Sequence, residues 1–281
     1  MLPFALILVV AAAAAGQQLE TADTIMAKVA ASQEGASQPR SNFLFQQTVL
    51  VRMRRGNHQL CREERSEFTV TPGPKGLEKK LTHFAGKYPG KDGMVGYDHP
   101  HFKYKGIDVD GDVISDLADG FTNDQKSRDG IEKDLFPLTT DEQNKYNFSL
   151  TGKETFRGRE VYHLSFCPKP HTSDAPWCGD LLVDAAEFEP VRITTHLNHG
   201  LPFLVKTLLG TDLKYLGFSV AYERAAEGVW FPVSYGGEFE VRVAFFFKRG
   251  ISVALENSGF KRADVSSRIS YEIPAPQPPL H

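Results

Sequence analysis

The feature that most restricts the fold is a series of short alternating segments in the second half of the chain. Residues 146–154 and 161–167 each alternate apolar and polar side chains and are separated by Arg157 and Gly158. Successive side chains of a strand point to opposite faces, so such segments suit a half-buried sheet rather than a helix. Residues 181–184, 191–196, 218–224, 229–235, 239–248, 251–256 and 265–273 continue the pattern. Short turns are predicted at Glu227-Gly228, Gly236-Gly237 and Arg249-Gly250. Connections of that length cannot carry a parallel crossover, so neighbouring strands should be antiparallel.

The first half adds elements to the same sheet. Ile25, Met26, Val29 and Ala30 recur at helical spacing and predict a helix over residues 21–33, closed by the polar stretch 35–41. From Asn42 the period changes to two, with Phe43, Phe45, Val49 and Val51 on one face, interrupted by Gln47. Charged strands over 59–71 and 77–88 follow. A short helix at 113–117 with Asp112 as its cap, and one helical turn capped by Thr139 or Thr140, are expected between the halves. Residues 202–210 read as a helix-like interruption between Pro202 and Gly210. The expected class is mainly β with a few helices: a large curved antiparallel sheet or partial barrel, in one domain over residues 17–273.

Residues 3–16, PFALILVVAAAAAG, are uncharged and apolar, too short for a helix across a bilayer, and end in small residues. They predict a signal peptide removed near Gly16 and a protein exported to the periplasm. The Pro-rich end, residues 274–281, predicts a disordered tail. Export agrees with the cysteines. Cys167 and Cys178 stand at the two ends of a polar loop between strands, where a hairpin can bring them together as a disulfide. Cys61 is left over and reads as a small buried residue.

Several function classes lose their support. With 32 basic and 35 acidic residues the net charge is −3, so nothing favours nucleic acid as a partner. Asp108, Asp110, Gly111 and Asp112 suggest a calcium loop, but the remaining ligand positions fall on Gly106 and Leu117, and a turn with a helix cap is the better reading. The pairs His99/His101 and His196/His199 lack any zinc signature around them. No metal site, no cofactor and no catalytic residue is expected, since nucleophile-elbow, phosphate-loop and dinucleotide motifs are all missing from the sequence.

What remains is apolar. The chain holds 20 Phe. Phe239, Val241, Val243, Phe245 and Phe247 share one face if residues 239–248 form one strand, and Leu201, Leu204 and Leu208 share a helical face. Together with Phe43, Phe45 and Val49 these are the candidate walls of an apolar cavity. The same residues would also serve as an ordinary filled core.

The segments GKETFRGREVYHL at 152–164, LLVD at 181–184, EPVRI at 189–193 and YERAAEGVWFP at 222–232 resemble exported proteins of the outer-membrane lipoprotein-sorting, LolA/LolB-like superfamily. That resemblance implies an open β half-barrel whose concave face is plugged by helices and holds acyl chains. The expectation is therefore a monomeric carrier or binding protein for lipoprotein acyl chains or another lipid, not an enzyme, with an inner- or outer-membrane protein as a possible partner. Two alternatives stay open: a regulatory sensor of the same fold, bound to a membrane partner, and a secreted hydrolase.

Overall fold

The computed structural model describes residues 20–73, 76–104, 108–122, 136–170, 172, 177–198, 213–243 and 247–263. The first helix, α1 (Ala22–Arg40), buries Ile25, Met26, Val29 and Ala30 as the spacing requires. It continues through residues 35–40 of the polar stretch expected to end it, and Arg40 itself is buried and anchored. Four strands form a first meander: β1 (Phe43–Arg55), β2 (Leu60–Gly73), β3 (Gly76–Pro89) and β4 (Met94–Tyr97). Seven form a second: β5 (Tyr146–Phe156), β6 (Arg159–Pro168), β7 (Trp177–Asp184), β8 (Pro190–Leu197), β9 (Leu213–Arg224), β10 (Trp230–Val243) and β11 (Phe247–Arg262).

The two meanders join where β1 pairs with β11, giving one antiparallel sheet of eleven strands in the order β4-β3-β2-β1-β11-β10-β9-β8-β7-β6-β5. Among the described residues the end strands β4 and β5 do not pair with each other, so the sheet is open, in agreement with the expected fold class. Between the meanders lie α2 (Val109–Thr122) and the single turn α3 (Thr140–Gln143). Thr139 caps α3 as expected, its hydroxyl accepting from Glu142 N.

Four expectations are corrected. Gly236 and Gly237 are not a turn but lie within β10, where a Cβ on Gly237 would meet the Phe218 ring at 2.5 Å. The glycine makes room for a neighbouring ring instead of reversing the chain. Likewise Arg249 and Gly250 lie within β11, and residues 239–248 do not form one strand: Val243 of β10 pairs antiparallel with Phe247 of β11. Finally, α2 begins earlier than 113, because the carboxylate of Asp108, not Asp112, accepts from Gly111 N at 2.9 Å and caps it.

Cys167 and Cys178 are disulfide-bonded across β6 and β7, and Cys61 is a free, buried thiol. The expected signal peptide, the tail 274–281 and the strand 265–273 lie outside the described residues.

Candidate functional site

One face of the sheet is apolar along whole rows of paired residues. Val49, Leu255, Tyr235, Val220, Ile193, Leu181 and Leu164 are successive cross-strand partners over β1, β11, β10, β9, β8, β7 and β6. None of the seven exceeds 4% exposure. The next row reads Val51, Val253, Gly237, Phe218, Thr195, Gly179 and Phe166. Here each glycine stands beside an aromatic: Phe218 lies against Gly237 and Phe166 against Gly179. Phe218 also stacks on Tyr235 and meets Trp177 edge-on, both with ring centres 5.3 Å apart. Alternation along each strand therefore builds a continuous inner surface, while Arg192, Thr194, Asp180 and Glu256 point away from it.

Ile25, Met26 and Val29 of α1, Ile114 of α2, and Phe136 and Leu138 belong to the same apolar cluster and cover this surface. Besides Ile114, ion pairs hold the start of α2. Arg62, 1% exposed, donates to Asp108 Oδ2 at 2.8 Å and to Phe102 O at 2.6 Å, with its guanidinium 4.7 Å from the Tyr97 ring centre. Arg249 grips both oxygens of Asp110, at 2.8 and 3.1 Å. Cys61 sits under this contact. Burial, then the Asp110 charge, pushes its thiol up to about 11. The attachment of α1 is a buried polar network: Ser32 and Gln33 donate to Glu189, Arg40 Nη1 donates to Gln33 Oε1 at 3.0 Å, and Arg40 Nε donates to Trp230 O. Burial raises the Glu189 carboxyl, against the lowering by Ser32, Arg40 and Gln33.

The predicted wall residues divide into four groups. Val49 and Phe239 stand in the main inner cluster. Phe43 and Phe45 are buried on the same face of β1 but pack with Phe231 and Phe260 as a separate aromatic group, with ring centres 4.3–5.3 Å apart. Val241 pairs with Arg249 and Val243 with Phe247, on two strands rather than one. Phe245, Leu201, Leu204 and Leu208 lie outside the described residues. Sequence reading located β6–β9 but did not assign Leu164, Leu181, Ile193 and Val220 to the site. Their alternation was visible, and only the strand order shows that they continue the face of β1.

The histidine pairs are not brought together: His99 and His101 follow edge strand β4, His196 stands in β8, seven strands along the sheet, and His199 lies outside the described residues. Among the described residues no group of three or more His, Cys, Asp or Glu is placed to hold a metal ion, and no helix is long and apolar enough to cross a membrane.

No family model and no curated protein matches the sequence. Among solved structures, the chain is similar to a LolA superfamily protein from Nitrosomonas europaea, at 14% identity and a TM-score of 0.35, over 88% of this chain and 95% of that one. It is also similar to a DUF1329 family protein from Desulfovibrio piger, at 11% identity and a TM-score of 0.38, over 89% and 95%. A third is the lipoprotein LppX of Mycobacterium tuberculosis, at 11% identity and a TM-score of 0.24, over 85% and 95%.

Proposed function

We propose that the chain is an exported carrier or binding protein that holds an acyl chain of a lipid or lipoprotein against the inner face of its sheet. The observation that carries this reading is the row from Val49 to Leu164, six aliphatic residues and Tyr235 on seven neighbouring strands, all buried. An open sheet needs something to cover such a face, and each buried methylene of an acyl chain contributes about 0.8 kcal/mol. The start of α2 is held by two ion pairs, Arg62–Asp108 and Arg249–Asp110, polar contacts that a ligand can displace in exchange for apolar burial. In this reading residues 17–273 act as one monomeric domain in the periplasm after loss of the signal peptide, and a membrane protein delivers or receives the cargo.

Native mass spectrometry of protein purified from its own export compartment tests it. A retained lipid mass, and quenching of Trp177 by a brominated fatty acid, are expected. Protein that is lipid-free and whose Trp177 emission is unmoved would make the inner face a filled core.

A further inference from the structure

A polar seam crosses the inner face at Gln47. Gln47 lies between Phe45 and Val49 on that face and is 1% exposed. Its Nε2 donates to Asn257 Oδ1 at 3.0 Å, and Asn257 Nδ2 donates to Pro232 O at 3.0 Å. The chain of amides is thereby fixed in direction, leaving Gln47 Oε1 as a buried acceptor with no donor among the described residues. An amide oxygen buried without a donor is costly, so its retention in the middle of an apolar strand face calls for a partner.

We propose that Gln47 is a specificity-determining residue: its Oε1 accepts a hydrogen bond from a neutral donor, a hydroxyl or an amide N–H, at the head of the bound acyl chain. This rests on the carrier reading above. The shape of the requirement follows from the chemistry. A carboxylate or an ester presents only acceptors and would leave Oε1 unpaired, while an ammonium would carry an unpaired charge into the apolar face. An amide N–H and a hydroxyl satisfy it equally, the first being the group on an N-acylated chain end and the second that of a partly acylated glycerol or a fatty alcohol.

Three probes of equal chain length separate the possibilities: hexadecanamide, 1-hexadecanol and methyl hexadecanoate, each titrated against the full mature chain with Trp177 emission as readout. Wild type should bind at least one donor-bearing probe about five-fold tighter than the ester, the size of one neutral hydrogen bond. Gln47→Met should erase that ratio while keeping the ester's affinity. Because the comparison is a ratio within each protein, a partly destabilised variant does not distort it, and the wild-type ratio stands even where the variant fails to fold. Equal affinities for all three probes in wild type overturn the assignment and leave the carrier reading intact. A preference that survives in Gln47→Met also overturns it, by placing recognition elsewhere. Binding of none of the three overturns the carrier reading and this inference with it. Preference for only one donor supports the inference and identifies the headgroup.

Discussion

Replacing Arg62 with Met should detach the start of α2 from the sheet. The guanidinium is buried against Tyr97, with Asp108 and Phe102 O as its acceptors. Methionine fills similar space without the fork, so the loss is polar and not a cavity. Removing one partner of a buried ion pair costs about 3–5 kcal/mol, most of it from the charge left behind. Two features place this case at the lower end. Asp108 keeps the N–H groups of Tyr104 and Gly111, each at 2.9 Å, and Arg62 Nε has no acceptor among the described residues. The expectation is about 3 kcal/mol, a large share of the roughly 5–15 kcal/mol that holds a domain together.

Urea unfolding should show it as a fall in midpoint at unchanged slope, and hydrogen exchange should rise selectively in residues 109–115. Asp108→Asn, which keeps an acceptor for the cap, should cost less than Arg62→Met. A midpoint change worth less than about 1 kcal/mol, or exchange rising equally across the sheet, would refute the view that Arg62 fastens α2.

Other expectations follow from single contacts. Glu189 has a raised carboxyl in the fold, so it adds stability below its unfolded value that is lost as pH rises through the folded one; Glu189→Gln should flatten that descending limb in pH-dependent urea midpoints. Asp184 behaves oppositely: burial raises it, but the N–H groups of Glu187 and Ala186 and the Arg159 guanidinium prevail and lower it, so Asp184→Asn should remove stability at neutral pH that wild type loses only in acid. Non-reducing peptide mapping should recover Cys167 linked to Cys178, and iodoacetamide should reach Cys61 only in denaturant, given its burial and raised thiol. Gly237→Ala should cost about 1–3 kcal/mol by overpacking against Phe218, with a shift in Trp177 emission through the Phe218 contact; an unshifted spectrum would mean the ring has space to move.

The sheet was legible because alternation is local: the burial of Phe43, Phe45, Val49 and Val51 on β1, and the hairpins of the second meander, follow from sequence period alone. Turn positions were less so. Glycine pairs and Arg-Gly steps read as turns, yet Gly236 and Gly237 are spacers for an aromatic ring, and Arg249 serves a helix 139 residues away in sequence. Both meanings depend on a partner strand or helix, which no local window contains. The site was half legible for the same reason. Each strand displayed its apolar face, but that Leu164 on β6 and Val49 on β1 share one surface is a property of strand order.

That shared surface also sets a chain-length threshold for cargo. Lifting only the first turn of α2, with Ile114 left seated, breaks the Arg62–Asp108 pair, at about 3 kcal/mol, and the largely buried Arg249–Asp110 pair, worth about 2 kcal/mol as a charged hydrogen bond. At about 0.8 kcal/mol per methylene, the first six or so methylenes of a ligand only offset that opening. Beyond them each added methylene should tighten binding about four-fold, until the ligand outruns the surface. The row from Val49 to Leu164 crosses six strand spacings of about 4.8 Å, close to 29 Å, so a sixteen-carbon chain still fits along it. Titrating 1-alkanols of six to sixteen carbons against Trp177 emission should therefore show negligible binding at six carbons and a steep, near-constant gain per methylene above eight. Arg62→Met should move that onset about three to four methylenes shorter while leaving the slope unchanged, because it lowers the cost of opening and not the value of each methylene. An onset unaffected by Arg62→Met would mean that the acyl chain enters without displacing α2.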